Sequence, residues 1–309
     1  MNIILASDDN FVQHCCVTMV SILTHNKDVN FYLLTEGLTK NNEAILLSNV
    51  EKYGGTLHFC KVSTEIVESF PLPKEGASHI TIATYYRLLV CELLPQNIDK
   101  AIYMDCDIIV RGSLLDLWNY NIEDKAIGAV FQPQEEAVRN NSYELLEYPS
   151  EYGYFNAGVL LINLKYWRSN NLTRTFLDYI KQNYSKLYQH DQDVLNAVLH
   201  NNVAALNNTW NCTSLFFSKR SWTYPSFINY RNNPDNPTVV HFVSKPKCWD
   251  YGCKTPYKDE YFVYLDKTSF KGWRPKFNWM AFYHYKLIPF IVEVDFLKIR
   301  NLIPHKHYN

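Results

Sequence analysis

Two aspartates separated by a single residue, Asp105 and Asp107, interrupt an apolar part of the chain. Their flanks, Ala101–Met104 and Ile108–Val110, are hydrophobic. Burying two carboxylates in such a strand is costly unless a cation or strong hydrogen-bond donors compensate the charge. Hard carboxylate ligands favour Mg²⁺ or Mn²⁺, ions that bridge carboxylates to a diphosphate. The pattern therefore predicts a metal and diphosphate site at the end of a strand, with solvated surface carboxylates as the alternative.

Two later side chains could complete such a site. His241 follows Val239 and Val240, so it lies at a strand end, where ligands gather in open α/β sheets. An imidazole beside two carboxylates suits Mn²⁺ better than Mg²⁺, although a single histidine is often only a hydrogen-bonded core residue. Lys247 can place a positive charge near a β-phosphate, although a lysine in a loop is often merely solvated.

Three polar segments could bind the rest of a nucleotide sugar. Ala6–Asn10 follows the first strand, where Asp8 either accepts from a uracil N–H or caps a helix. Gly153–Gly158 is either a tight bend or a backbone that a sugar approaches closely. His190–Asp193 opens a helix, so its acids either cap that helix or face an anomeric carbon.

The elements that must position these residues follow from hydrophobic periodicity. The predicted strands are Asn2–Ser7, Phe31–Leu34, Leu57–Val62, Ala101–Val110, Ala126–Phe131, Gly158–Leu164 and Val239–Phe242. The predicted helices are Phe11–Thr24, Lys40–Tyr53, Thr84–Leu94, Leu172–Leu187 and Val194–His200. Helices that alternate with apolar strands indicate an α/β protein whose mostly parallel sheet is covered on both faces. We expect this domain to span residues 1–266.

Composition excludes some partners and compartments. The formal net charge of −1 argues against nucleic acid, whose binding requires excess Lys and Arg. The N-terminus lacks the features of a signal peptide, and no segment reaches the roughly 20 apolar residues that a spanning helix needs. These features predict a cytoplasmic protein. They also make the glycosylation sequons at Asn171 and Asn211 chance matches.

The eight cysteines lie mostly in apolar runs and show no CxxC spacing. This pattern predicts reduced, packed thiols instead of a disulfide framework or a zinc site.

The segment 267–309 contains eight Lys or Arg and two acidic residues, interleaved with aromatic side chains. It is either a helical cap on the domain or a segment that docks on the anionic inner face of the cytoplasmic membrane.

Taken together and in order, six segments resemble the family 8 glycosyltransferases, which include bacterial lipooligosaccharide α-galactosyltransferases and, more distantly, glycogenin. The segments are Ala6–Asn10, His79–Leu88, Tyr103–Asp107, Tyr154–Leu164, Asp191–Asp193 and His241–Trp249. The resemblance covers residues 1 to about 250 and implies a GT-A fold that carries out retaining transfer of galactose or glucose from a UDP-sugar to a glycan or glycolipid of the cell envelope, such as lipopolysaccharide.

The same resemblance implies roles for individual residues. Asp105, Asp107 and His241 hold Mn²⁺, Lys247 contacts the leaving phosphate, and Ala6, Asp8 and Asn10 lie near uridine. Arg87, Asn156, Ala157, Asp191 and Gln192 line the donor sugar. Gln192 lies nearest the face opposite the leaving group. Because an amide is a poor nucleophile, we expect front-face transfer, with covalent attack by Asp191 as the alternative.

The chain departs from the family pattern at three positions. In the late motif, Ser244 replaces a glycine and Cys248 replaces a proline, and Gln132 stands where several relatives carry an acid. We therefore expect altered phosphate affinity and a different acceptor.

Two other classes of protein remain open from the residues alone. A sugar nucleotidyltransferase would need a glycine-rich phosphate loop near the first strand, and none is present. A non-catalytic UDP-sugar or glycan-binding protein would not need Asp105, Asp107, His241 and Lys247 to be intact.

Overall fold

The computed structural model describes residues 1–63, 82–217, 236–243 and 245–283, together with Glu65 and Leu287. The strands are β1 Asn2–Ala6, β2 Asn30–Thr35, β3 Thr56–Lys61, β4 Lys100–Met104, β5 Ile108–Val110, β6 Ile127–Phe131, β7 Phe155–Asn163, β8 Val203–Ala205, β9 Cys212–Thr213 and β10 Val239–His241. Three parts of the chain discussed above lie outside the described residues, namely positions 79–81, Ser244 and most of the segment 284–309.

Helices connect the strands. The α-helices are α1 Val12–His25, α2 Lys40–Lys52, α3 Val90–Leu93, α4 Leu115–Trp118, α5 Gln134–Arg139, α6 Ser142–Leu146, α7 Leu164–Ser169, α8 Leu172–Asn183, α9 Asp191–Leu199, α10 Ser214–Phe217, α11 Lys258–Leu265 and α12 Trp279–Phe282. Short 3₁₀ helices occupy Asp9–Phe11, Ile82–Leu89, Ser150–Tyr152, Tyr184–Lys186 and Asn208–Trp210. In the part of the chain described here, no helix is long and apolar enough to span a membrane.

A seven-stranded sheet in the order β3-β2-β1-β4-β7-β6-β8 forms the centre of the molecule. Its neighbours pair in parallel, except that β7 runs antiparallel to both β4 and β6. The prediction of an α/β protein with a mostly parallel sheet is confirmed.

The two faces of the sheet belong to two different apolar cores. Within β1, Ile3 and Leu5 pack into one core and Ile4 into the other, because successive side chains of a strand point to opposite faces. Residues Phe155–Ile162 of β7 are all buried. Helices therefore cover both faces, which explains why the strands contain continuous apolar runs.

The prediction of a single strand over Ala101–Val110, interrupted by two carboxylates, is wrong, because these residues form two strands. β4 ends at Met104, the chain turns through Asp105 and Asp107, and β5 then joins a separate three-stranded sheet in the order β5-β10-β9. A continuous strand buried on both faces would force a carboxylate into an apolar core. The turn instead places both carboxylates at the carboxyl end of β4, between the two sheets.

The α-helix predicted over Thr84–Leu94 is mostly a 3₁₀ helix, followed by the single turn of α3. Tyr85, Tyr86, Leu88, Leu89 and Val90 are all buried, so side chains pack on more than one face of this segment. Tertiary packing therefore outweighs the local helical pattern.

The last described segment packs against the smaller sheet and then becomes exposed. Tyr261, Tyr264 and Leu265 of α11 share a third apolar core with Ile109 of β5 and Val240 of β10. Beyond it, exposed aromatic side chains follow, namely Trp273, Phe277, Trp279 and Tyr283. The domain boundary near residue 266 stays a prediction.

All eight cysteines are buried as thiols outside any disulfide. Burial raises the pKa of the Cys91 and Cys212 thiols to about 12. The prediction of packed, reduced thiols is confirmed.

Candidate active site

A cavity of about 730 Å³ lies at the carboxyl ends of β1 and β4. Of the site residues predicted from the sequence, those that line it are Ala6, Asp8, Asn10, Arg87, Asp105, Asp107 and Lys247. His241 contacts Asp107 of its wall, and Ala157 and Asp191 contact Arg87, although none of the three lines the cavity. Asn156 and Gln192 lie further from the cavity, where Gln192 bonds to both Asn156 and Ala157. Carboxylates and cations thus face one cavity, a charge pattern suited to a metal and a diphosphate.

Arg87 is the cation at the centre of the wall. Its Nη2 donates to Asp105 Oδ1 at 2.8 Å, and its Nη1 donates to the Ala157 carbonyl at 2.6 Å. The guanidinium lies over the ring of Tyr103, whose hydroxyl also donates to Asp105 Oδ1 at 3.1 Å. Arg87 therefore fixes one oxygen of Asp105 and leaves the other, Oδ2, facing His241 at 3.7 Å from Nε2.

Asp107 lies between a histidine and a lysine. Lys247 Nζ donates to its Oδ2 at 2.6 Å, and to the carbonyls of Phe242 and Val243. His241 Nε2 lies 3.0 Å from its Oδ1. Burial opposes ionisation of Asp107, but Lys247 and His241 outweigh burial and hold the pKa of this carboxyl well below its usual range.

Asp105, Asp107 and His241 offer ligand atoms that all lie within 4.8 Å of one another. Although His241 Nε2 is close to Asp107 Oδ1, the contact lacks hydrogen-bond alignment, and Oδ1 has no hydrogen-bond partner among the described residues. An ion with octahedral bonds near 2.1 Å separates adjacent ligand atoms by about 3 Å. The residues therefore fit a divalent cation, which would supply the partner that this buried oxygen lacks.

Gly158 allows His241 to reach the carboxylates. A Cβ at this position would lie 2.1 Å from His241 Cε1 and 2.8 Å from Asp105 Oδ2. Only glycine therefore allows the imidazole and the carboxylate to meet against the backbone of β7. The prediction of a turn over Gly153–Gly158 is wrong for Phe155–Gly158, which belong to β7. The close approach to the backbone occurs at Gly158, and the group that approaches is a side chain of the protein.

Gln192 and Asn156 are hydrogen-bonded to each other beside Arg87. Gln192 Oε1 accepts from Asn156 Nδ2 and from the Ala157 N–H, both at 3.0 Å. Its Nε2 donates to the Tyr154 hydroxyl at 3.1 Å. Three of the five residues predicted to line a donor sugar, Asn156, Ala157 and Gln192, thus form one hydrogen-bonded group at the start of β7 and α9.

Asp191 is buried and approaches Arg87 at Nε, whereas Asp105 approaches it at Nη2. Arg87 Nε is 2.8 Å from Asp191 Oδ2, but it donates to the Thr84 carbonyl, and Oδ2 has no aligned hydrogen bond from a described residue. Burial raises the pKa of Asp191 to about 7, although Arg87 opposes this shift. For Asp191, burial therefore outweighs the contact with the Arg87 cation.

The segment Ala6–Asn10 follows β1 as predicted. Asp8 Oδ1 accepts from the N–H groups of Asn10 and Phe11 and so caps the 3₁₀ helix. Asp8 still lines the cavity, so the capping and uracil roles are compatible. The Ala6 carbonyl accepts from Cys106 Sγ at 3.2 Å, which ties β1 to the turn that carries the aspartates.

Comparison with known proteins identifies the family of this chain. The model of Glycosyl transferase family 8 matches residues 2–253. The chain belongs to glycosyl transferase family 8. Membership of this family supports sugar transfer over the nucleotidyltransferase and binding-protein alternatives.

Individual relatives agree with the family. General stress protein A of Bacillus subtilis is 31% identical over 87% of this chain and 94% of that protein. Lipopolysaccharide 1,3-galactosyltransferase of Salmonella typhimurium is 28% identical over 80% of this chain and 72% of that protein. The crystal structure of the galactosyltransferase LgtC with donor and acceptor sugar analogues superimposes with a TM-score of 0.78, at 28% identity, over 87% of this chain and 96% of that chain. The predicted GT-A fold of the family is confirmed.

Sequence reasoning missed several residues that build the site. Tyr103 and Tyr154 were part of matching segments without an assigned role, and Asn211 was noted only as a sequon. Asn211 is fully buried, and its side chain contacts both His241 and Asn156. Because both partners are distant in sequence, the residues next to Asn211 give no indication of these contacts.

Proposed function

We propose that this family 8 member transfers a hexose, galactose or glucose, from a UDP-sugar to a glycan or glycolipid acceptor of the cell envelope, with retention of configuration. The observation that carries the proposal is the cluster of Asp105, Asp107 and His241, with its unpartnered buried oxygen, in a cavity that also presents Arg87 and Lys247. The relatives that transfer sugars to lipopolysaccharide support the acceptor class.

Asp105, Asp107 and His241 would hold Mn²⁺ or Mg²⁺, with the imidazole favouring Mn²⁺. A bound ion would neutralise the charge that develops on the diphosphate as UDP departs. Lys247 supplies a second positive charge. Its ammonium is bonded to Asp107 and to two carbonyls, so contact with a phosphate would replace one of these bonds.

The bonds made by Gln192 support transfer on one face of the sugar. Both lone pairs of its Oε1 are engaged by the donors on Asn156 and Ala157, so this oxygen is poorly placed to attack carbon. In the proposed reaction the bond between the anomeric carbon and the UDP oxygen breaks. The acceptor oxygen bonds to that carbon from the same face, and its proton passes to the leaving phosphate.

Arg87 and Asn156 position the sugar in this proposal. Arg87 is held by Asp105, by the Ala157 carbonyl and by the ring of Tyr103, so its orientation costs little entropy when the donor binds. Ala6, Asp8 and Asn10 bind the uridine end of the cavity.

The decisive test is UDP release from a panel of UDP-sugars, with Mn²⁺ or with EDTA, for the wild type and Asp107→Ala. We expect metal-dependent release from one hexose donor and its loss in the variant. Asp124→Ala removes an exposed carboxylate and is the matched control. Equal turnover in EDTA, or in Asp107→Ala, would contradict the proposal.

The stereochemical part has its own test. The product linkage, read by NMR, should keep the configuration of the donor. A glycosylated Asp191 trapped and found by mass spectrometry would replace the front-face mechanism with a covalent one.

We also propose that the aromatic segment contacts the inner face of the cytoplasmic membrane. Phe277 and Trp279 are 59% and 63% exposed, and Lys271 and Lys276 lie nearby in sequence. Aromatic anchors and basic charge act together on anionic bilayers. Flotation of the full chain with anionic vesicles should fall when both aromatics are changed to Ser, but not for Val263→Ser, an exposed control. Equal flotation of all three proteins would end this idea.

A further inference from the structure

A continuous chain of side-chain hydrogen bonds runs from the candidate metal ligand His241 to Asp193. His241 Nδ1 lies 2.9 Å from Asn211 Oδ1, and Asn211 Nδ2 donates to Asn156 Oδ1 at 2.7 Å. Asn156 donates to Gln192, and Gln192 donates to the Tyr154 hydroxyl. That hydroxyl donates to Asp193 Oδ1 at 2.7 Å. We call this set of residues the amide chain: Asn211, Asn156, Gln192, Tyr154 and Asp193.

Backbone N–H groups fix the direction of this chain. A backbone N–H can only donate, so the atoms that it meets must be acceptors. The Gly158 N–H meets Asn156 Oδ1 at 2.9 Å, and the Ala157 N–H meets Gln192 Oε1 at 3.0 Å. At the far end, the Asp193 carboxylate accepts from the N–H groups of Tyr188 and Gln189. Neither Asn156 nor Gln192 can exchange its oxygen and nitrogen without losing such a bond.

The fixed direction determines how Asn211 faces His241. Because Asn156 Oδ1 is an acceptor, the atom of Asn211 next to it must be the NH₂ group. The Asn211 oxygen therefore faces the imidazole, and Nδ1 must carry a proton to bond to it. A neutral imidazole protonated at Nδ1 has its lone pair on Nε2, the atom that faces both aspartates.

We propose that Asn211 is the positioning residue that holds His241 in the Nδ1–H tautomer, and that the amide chain holds Asn211 in turn. The metal-binding consequence rests on the proposed function, whereas the tautomer does not. Asn211 is fully buried, so water cannot replace its oxygen. Without that oxygen nothing keeps the proton of His241 on Nδ1, and a proton on Nε2 blocks the nitrogen that a cation needs.

The first measurement is the tautomer of His241 in the metal-free protein, by ¹⁵N–¹H NMR at about pH 8, above the ordinary imidazole pKa. His241→Gln identifies the signal among the ten histidines. The wild type should show protonation at Nδ1. Asn211→Asp, whose carboxylate still accepts from Nδ1–H, should keep this tautomer, and Asn211→Leu should lose it. Protonation at Nε2 in the wild type would overturn the proposal, whether or not Asn211→Leu folds.

The second measurement is Mn²⁺ affinity by titration calorimetry. Asn211→Leu should bind roughly 10–100-fold more weakly than the wild type, as expected for loss of the group that orients a ligating histidine. Asn211→Asp should bind close to wild type but turn over more slowly, because its second oxygen opposes Asn156 Oδ1. The control is Asn49→Leu, which removes another buried amide with three protein bonds far from the site.

The outcomes separate this inference from the proposed function. Absence of Mn²⁺ binding by the wild type would contradict the proposed metal site and leave the tautomer to the NMR result. Wild-type affinity in Asn211→Leu, with Mn²⁺ bound by both proteins, would contradict the role of Asn211 alone.

Discussion

Two polar regions meet at the start of β7, and they differ in how well their groups are paired. In the ligand cluster of Asp105, Asp107 and His241, a buried carboxylate oxygen lacks a hydrogen-bond partner among the described residues. In the amide chain, by contrast, each link from Asn211 to Asp193 is a hydrogen bond of 2.7–3.1 Å. The ligand cluster needs an added cation to be satisfied, whereas the amide chain is complete within the protein.

This difference separates two kinds of residue. Changes in the ligand cluster should affect metal binding and turnover more than folding, because one buried oxygen of the cluster has no hydrogen-bond partner among the described residues. Changes to the buried amides that hold the backbone of β7, such as Asn196, should instead affect folding, because they leave backbone groups unpaired.

The largest expected effect breaks the ligand cluster through Gly158→Ala. The added Cβ occupies the space of the His241 ring and of Asp105 Oδ2, and a displacement of about 1 Å can cost about 10²-fold in rate. We expect a loss of that size in kcat/KM for metal-dependent UDP release, together with loss of the rise in Tm on adding Mn²⁺.

Gly112→Ala is the matched control, since its Cβ would meet nothing closer than 3.4 Å. Wild-type turnover in Gly158→Ala would show that His241 does not have to lie against β7.

The next largest effect concerns Asn196, a buried amide that supports the backbone of β7. Asn196 holds both the N–H and the carbonyl of Phe155 through its side chain. Asn196→Leu leaves these buried backbone groups unpaired, so the free energy of unfolding should fall by about 1–3 kcal/mol in urea denaturation. Mn²⁺ affinity should stay near that of the wild type. If Asn196→Leu loses Mn²⁺ binding but keeps its stability, then this amide serves the metal site and not the fold.

The smallest effect concerns Asp191, which lies between the two regions. Its pKa is raised to about 7 by burial, so between about pH 4 and pH 7 the folded state holds a proton that the unfolded state has released. This contribution to stability is fully present below the ordinary aspartate pKa and is lost as pH rises through about 7. The free energy of unfolding of the wild type should therefore fall over this range relative to Asp191→Asn. Parallel pH profiles for the two proteins would show that Asp191 is ionised throughout.

The amino-acid sequence predicted the parts of the fold that depend on local pattern. The predicted bounds of β1, β2 and β3 lie within two residues of the observed ones. They could be predicted because continuous apolar runs between helices indicate buried parallel strands. That the two halves of Ala101–Val110 join different sheets was not predictable, because both halves have the same apolar composition. Which sheet each half joins depends on partners distant in sequence, namely β1 for β4 and β10 for β5.

The candidate site divides in the same way. Asp105, Asp107 and His241 could be selected because their residue types and strand-end positions match the chemistry of a cation. Asn211 could not, because its contact with Asn156 spans 55 residues and asparagine has no periodic signature. The need for glycine at position 158 is likewise a property of the folded geometry, since only there does His241 approach that backbone.

The buried thiols give the protein a set of built-in reporters of its own motion. Because all eight thiols are buried, an aromatic disulfide reagent can modify each one only when the structure around it opens. Cys106 stands between the two candidate ligands and Cys212 lies in β9 beside the strand that ends in His241, while Cys60 lies in β3 at the far edge of the large sheet. The labelling rate at each thiol can be followed by mass spectrometry with and without a divalent cation. These rates would show which parts of the molecule open together and which open less often when a cation is present.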